Sequence, residues 1–405
     1  MKNFRKHLLG LAVTCAVAGQ ASYVMADPFT EALTGGKVYG DFRLRYETVD
    51  QDNAAKDADA LTLRTRLGYV TGSVSGFSAT IEFEDSRVVG GIDDYTVGPT
   101  GFNPGEFSVI ADPETTELDQ GFVQYESGLV AAKLGRQVIT LDNHRFVGHV
   151  GWRQDRQTFD AFTLKITPVE DLSLTYGYLG QRNRIFADVA DIDSKDHLFN
   201  ASYKTPIGKV TGYAYLLEVD NNTDNSLDSY GISLNGATNS GSVKVLYAAE
   251  YATQEFESGA TKRDADYYLL EGGIVFSGIT AKLGYEVLGS DDGLYGFATP
   301  LATLHKFNGW SDQFLGTPAQ GLEDIYVSVG GKIADGKWGK WAFVYHDFSA
   351  NESTPGVDNL GSEIDLLYAM KFAKHYSTGI KYANYSADDI KVDADKLWIW
   401  LGASF

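Results

Sequence analysis

Beyond residue 26 the chain contains no cysteine. That excludes disulfides and thiolate metal sites from the remainder. Proline is scarce, at 9 residues, while glycine (44), tyrosine (24) and phenylalanine (22) are plentiful. This balance suits many strands joined by tight turns and carrying aromatic surfaces. Basic residues are outnumbered, 34 Lys+Arg against 54 Asp+Glu, for a net charge of −20. Nucleic acid needs a basic surface, so DNA and RNA are excluded as partners. After residue 26 no stretch reaches the roughly 18 apolar residues of a membrane helix. The other way to cross a bilayer is a closed β-barrel, in which every backbone group pairs between strands.

The first 26 residues, MKNFRKHLLGLAVTCAVAGQASYVMA, read as a secretory signal peptide. Lys2, Arg5 and Lys6 make a positive start, Leu8 to Ala18 a short apolar run, and Ala26 a small cleavage-site residue. Thr14 beside Cys15 argues against a lipoprotein. Cleavage would remove those three cations and take the net charge from −20 to −23. Residues 27–405 are then one domain.

One pattern repeats along that domain. In VYGDFRLRYE (38–47), Val38, Gly40, Phe42, Leu44 and Tyr46 share one face, and Asp41, Arg43, Arg45 and Glu47 the other. LTLRTRLGY (61–69) sets Leu61, Leu63 and Leu67 against Arg64 and Arg66. FSATIEFE (77–84) sets Phe77, Ile81 and Phe83 against Glu82 and Glu84. Such dyad segments are the mark of a transmembrane barrel, with lipid on one face and water on the other. A soluble β-sandwich also alternates, but the leader and the aromatic load favour the barrel.

Tight turns are expected at 73–76, 127–129, 168–171, 205–208, 239–241, 277–279, 335–336 and 373–374. Longer polar stretches fall at 50–59, 89–116, 139–156, 184–194, 220–225, 253–264, 290–321, 349–360 and 386–393. Seventeen connections imply 18 antiparallel strands, with 16 as the alternative count. The expected architecture is therefore all-β, a single barrel with short periplasmic turns and long outer loops. The C-terminal strand alternates Leu397, Ile399, Leu401, Ala403, Phe405. A final Phe resembles the signal read by the barrel-assembly machinery. Trp398 and Trp400 fall in the other phase and suggest packing inside the lumen.

Of 12 arginines after residue 26, 11 lie between Arg43 and Arg184. Arg43, Arg45, Arg64 and Arg66 share the polar face of two adjacent strands, with Asp41, Glu47, Glu82 and Glu84 beside them. Arginine stays charged and holds carboxylates bidentately. This wall, with Arg87 and a second group at Arg136, Arg145, Arg153 and Arg156, is expected to line the pore. It reads either as a guide for anionic solutes or as pairs that satisfy a wet lumen. The stretches 139–156 and 290–321 carry aromatics and are expected to fold inward. The outer loops are acidic: 89–116 holds five carboxylates and no Lys or Arg. Divalent ions could bridge such loops to lipopolysaccharide, the expected surroundings together with outer-membrane lipid. DNNTDNSLD (220–228) lacks the glycine of a calcium loop and reads as a solvated turn. No metal site and no cofactor is expected. The histidines at 144, 149, 197, 305, 346 and 375 are scattered, and no hydrolase, phosphate-loop or zinc motif is present. Nothing points to an enzyme.

LTLRTRLGYVTG (61–72), FEDSRVVG (83–90), LGRQVITLDNHRFVGHVGWRQDRQTFDAF (134–162) and TPLATLHKFNGWSDQFL (299–315) resemble the alginate-export-type outer-membrane porins. The resemblance implies an 18-stranded monomeric barrel in the outer membrane of a Gram-negative bacterium. In alginate-secreting members an arginine-rich lumen passes a polyuronate, and Arg43, Arg45, Arg64, Arg66, Arg87, Arg136 and Arg153 correspond in type. The acidic loops and negative charge depart from that pattern. The expectation is a passive channel for small hydrophilic solutes, sugar acids or other anions foremost. A polysaccharide exporter and a plugged structural or adhesive barrel are the alternatives.

Overall fold

The computed structural model describes residues 27–53, 55–98 and 103–405. The expected signal peptide lies outside the described residues. A short helix, α1 (Pro28–Thr34), opens the domain, its first turn capped by Asp27 accepting from Phe29 N at 3.2 Å. Gly72 N donates to Ala32 O at 2.9 Å and tethers the helix at the foot of the barrel.

The strands follow in order. They are β1 (Lys37–Gln51), β2 (Ala58–Val70), β3 (Phe77–Asp94), β4 (Thr115–Ser127), β5 (Val130–Gln137), β6 (Thr158–Val169) and β7 (Leu172–Asn183). Next come β8 (Ile192–Thr205), β9 (Gly208–Leu217), β10 (Asn225–Ser240), β11 (Val243–Ser258), β12 (Thr261–Phe276) and β13 (Ile279–Leu288). A small hairpin, β14 (Ser290–Asp291) and β15 (Tyr295–Gly296), precedes β16 (Leu322–Lys332), β17 (Lys340–Thr354), β18 (Val357–Phe372), β19 (Tyr376–Ser386) and β20 (Ala394–Ser404). All but the small hairpin form one 18-stranded sheet in which chain neighbours pair antiparallel. β1 closes it against β20, in register from Asp41↔Ser404 to Gln51↔Ala394. Closure leaves no sheet edge unpaired.

Alternation decides which side faces out. Along β2, Thr62, Arg64 and Arg66 are buried within, while Leu67 on the other phase is 47% exposed. Ile81, Phe83, Val123, Leu134, Leu270 and Leu283 continue the exposed apolar surface around the wall. In water this would be a costly patch; against acyl chains it is the expected lipid face.

All eight tight turns fall where the sequence places them. The outer side differs at three positions. β3 runs on to Asp94, and the stretches 253–264 and 349–360 are mostly strand, turning only at 259–260 and 355–356. These ladders continue beyond the apolar band, so their polar residues reflect water on both faces rather than loop structure. Gly356 takes φ +84, a conformation that a two-residue hairpin needs and glycine adopts freely.

The two connections expected to fold inward do so. Residues 138–157, here the first inner loop, place Phe146 against Tyr213, Tyr267 and Phe297 at ring separations of 5.0, 5.5 and 6.0 Å. Residues 289–321, the second inner loop, lie beside it: Gly148 N donates to Leu301 O at 2.8 Å, and Thr303 N to His144 O at 3.0 Å. The outer connection after β3 adds Tyr95, Val97 and Ile110, buried against Val49, Ala58 and Ala60.

Candidate functional site

The register of β1 with β2 sets Arg43 opposite Arg64 and Asp41 opposite Arg66. Four guanidiniums on one wall repel unless carboxylates and carbonyls intervene. Arg64 binds Asp41, and Arg66 binds Glu84 on β3. The first inner loop supplies the rest. Arg43 donates to Gln154 Oε1 at 3.0 Å and to the carbonyls of Gly151, Trp152 and Arg153 at 3.2, 2.7 and 2.5 Å. Arg45 donates to Trp152 O and pairs with Asp112, and lies 3.2 Å from Glu47. Both guanidiniums lie over the Trp152 ring, at 5.9 and 5.2 Å.

The loop's own arginines complete the lattice. Arg153 reaches Glu47 at 2.9 Å and Asp312 of the second inner loop at 3.0 Å. Arg145 lies in an ion pair 2.9 Å from Glu286 and donates to Asn308 Oδ1 at 3.1 Å. Arg156 pairs with Asp119, at 3.1 Å from its Nε, and with Glu82. Burial works against the charge on Arg153, but Glu47, Asp112 and Asp312 outweigh it and raise its pKa. Asp155 goes the other way. Burial, with Glu117 and Glu84 nearby, pushes its carboxyl well above the usual range.

The second inner loop carries an aromatic box. His305 stacks on Trp152, with centroids 5.1 Å apart and planes 6° off parallel. Its Nδ1 is 2.6 Å from Asp312 and its Nε2 2.6 Å from Lys381 Nζ. The Lys381 ammonium sits 3.8 Å from the centroid of Trp310 and 5.4 Å from that of Trp398. An ammonium can only donate, so Nε2 accepts and the proton resides on Nδ1, facing Asp312. Burial depresses the His305 pKa to about 3, with Lys381 adding to the effect against Asp312. Gly309 turns the chain beside this box; a Cβ there would meet Glu363 Oε2 at 2.3 Å, where Ser311 N now donates to Glu363 at 2.7 Å.

Asp41, Arg43, Arg45, Glu47, Arg64, Arg66, Glu82, Glu84, Arg145, Arg153 and Arg156 are all on the interior side. Most are sealed rather than open: Arg45 is 0% exposed, Arg145 1% and Arg153 5%. They clamp the inner loops to the wall. Two expected lining residues are on the wrong face. Arg87 pairs in register with the outward Leu63, and bonds Thr116 and Asp85. Arg136 shares the phase of Leu134, itself 66% exposed, and holds Asp160 at 2.7 Å. Trp398, expected to pack inside, is 0% exposed.

Beneath the loops lies an open lumenal cavity of about 460 Å³, lined among others by Lys282, Lys306, Glu271, Asn308, Trp310 and Tyr326. Lys282 is held by Glu271 at 2.9 Å. Lys306 donates to Asn143 O at 2.6 Å and makes no ion pair among the described residues. These lysines, with Asp112, Asp312, Lys381 and Lys396, are what sequence reasoning missed. The strand phase of Lys282, Lys381 and Lys396 was readable; their convergence with Asp112, Lys306 and Asp312 of the connections was not.

Residues 37–286 match the alginate export family. The chain belongs to that family. Members of the Occ/Opd group of porins share the fold. OccK9 (OpdG) of Pseudomonas aeruginosa superposes with a TM-score of 0.73 at 14% identity, over 92% of this chain and 99% of that one. OccAB1 of Acinetobacter baumannii gives 0.71 at 14%, over 92% and 97%. OpdK of P. aeruginosa, solved with vanillate, gives 0.68 at 13%, over 91% and 98%. No curated protein sequence matches the chain. This alginate export family member is thus an 18-stranded porin-type barrel narrowed by two inner loops.

Proposed function

We propose that this chain is a passive channel for small hydrophilic solutes in the outer membrane of a Gram-negative bacterium. It sits in outer-membrane lipid and lipopolysaccharide, works as a monomer, follows the export leader of residues 1–26, and performs no catalysis. The observation that carries this is the lumen itself. Two loops constrict a closed barrel, and residues of both line an open cavity that holds Lys282 and Lys306. Lys306, unpaired with any carboxylate among the described residues, favours a solute bearing a carboxylate. Sugar acids and small organic acids fit that chemistry, and the vanillate bound to OpdK is itself an acid. Phe405, whose N–H and carbonyl pair with Gly40 at 3.1 and 3.2 Å, is the end presented to the assembly machinery.

Planar-bilayer conductance with a reversal potential in a salt gradient tests the reading. Open steps with anion preference support it. Cation preference would leave a channel but remove the acidic solute, and absent conductance would favour a plugged barrel. Family membership supports polysaccharide export as a second reading. A polymer would need the two inner loops displaced, and a polyuronate would then block current reversibly.

A further inference from the structure

Three carboxylates meet where the first inner loop crosses the barrel wall. Glu84 comes from β3, Glu117 from β4 and Asp155 from the loop, and one oxygen of each lies within 4.8 Å of the other two. Glu84 and Asp155 are both 0% exposed. Each has one oxygen engaged: Glu84 Oε2 with Arg66, and Asp155 Oδ2 with Ala187 N at 3.2 Å. The remaining oxygens, Glu84 Oε1 and Asp155 Oδ1, are buried and accept no hydrogen bond. A buried acceptor left without a partner is destabilising, more so when charged. The surroundings do not repair this. Arg66 is shared between Glu84 and Asp119, Arg156 is taken by Asp119 and Glu82, and Arg136 by Asp160. Like charges this close cannot all stay ionised without a cation or a proton between them.

We infer that Glu84, Glu117 and Asp155 form a calcium site that pins the first inner loop to the β3–β4 wall. All donors are hard oxygens, which suits calcium or magnesium and excludes soft metals. Calcium binds oxygen at about 2.3–2.6 Å, so ligands across the ion stand up to about 5.2 Å apart, and the three oxygens fall inside that limit. The ion would occupy the gap between Glu84 Oε1 and Asp155 Oδ1, and water would complete its shell. Because Asp155 also accepts from Ala187, the same ion would steady the 184–191 connection.

The competing occupant is a shared proton, and the two differ in a measurable way. Detergent-solubilised protein would be melted in EGTA and in millimolar calcium. The site predicts a calcium-dependent rise in melting temperature that Asp155→Asn and Glu117→Gln each abolish, with both variants melting no lower than the parent in EGTA. Asp50→Asn with Asp57→Asn, at the exposed end of β1 and in the connection after it, controls for surface binding and should retain the rise. An equal rise in parent and Asp155→Asn protein, or none in the parent, overturns the site. If either variant fails to fold, isothermal titration of the other with calcium decides: loss of one tight binding event supports the site, and its retention overturns it.

Discussion

Arg153 Nη1 donates to both carboxylate oxygens of Glu47, at 3.0 and 2.9 Å, across 106 residues of sequence. Its second amino group holds Asp312, so one guanidinium ties the barrel wall and both inner loops together. Removing one partner of a buried pair costs about 3–5 kcal/mol, because the other charge is left stranded. Arg153→Ala is therefore expected to undock the loops, giving larger and noisier single-channel steps at unchanged barrel content by circular dichroism. Steps of parental size and noise would show that the pair does not hold the constriction.

Acid should weaken the same docking through His305. Its pKa is depressed to about 3, so the docked ring is neutral while an undocked ring titrates near 6.5. The undocked state then binds more protons between those values, and docking is fully present above about 6.5 and lost as pH falls toward 3. Asp312 favours the charged ring, while Lys381 and Arg153 oppose it. Gating events are expected to rise from pH 7 to pH 4 and to become less pH-dependent in His305→Phe. An identical profile in that variant would assign the effect elsewhere.

Selectivity should reside in the cavity lysines rather than in the sealed arginines. Lys282→Gln with Lys306→Gln is expected to move the reversal potential toward cations. Arg87→Ala and Arg136→Ala, on the outer face, should leave it unchanged. A shift in the latter pair alone would place the selectivity step outside the lumen.

The apolar belt makes its own prediction. Leu283 is 59% exposed on the outward phase of β13. A basic side chain on a lipid face costs up to about 2–4 kcal/mol, depending on depth. Leu283→Arg should lower refolding stability into lipid vesicles by an amount in that range, whereas Lys282→Arg, one residue away and facing the lumen, should be near neutral. Equal costs would contradict the assignment of faces.

Much of this was legible in the chain itself. Side-chain direction in a strand has period two, so Leu61, Leu63 and Leu67 against Arg64 and Arg66 already separate lipid from lumen. The same rule sends Arg87 outward with Phe83, four residues before it, and its chemistry suggested the pore only by analogy with its neighbours. Aromatics in 139–156 and 290–321 signalled inward folding because such residues are costly in a solvated loop. Arg136 follows the period-two rule, two residues after the outward Leu134 and with no register shift between β5 and β6; its charge alone suggested the pore. Least legible were the partners. Alternation fixes which way Glu47 points, but only the closed barrel brings Arg153 and Asp312 to it. Burial and charge pairing depend on which distant segments share the lumen, and that is a property of the tertiary structure alone.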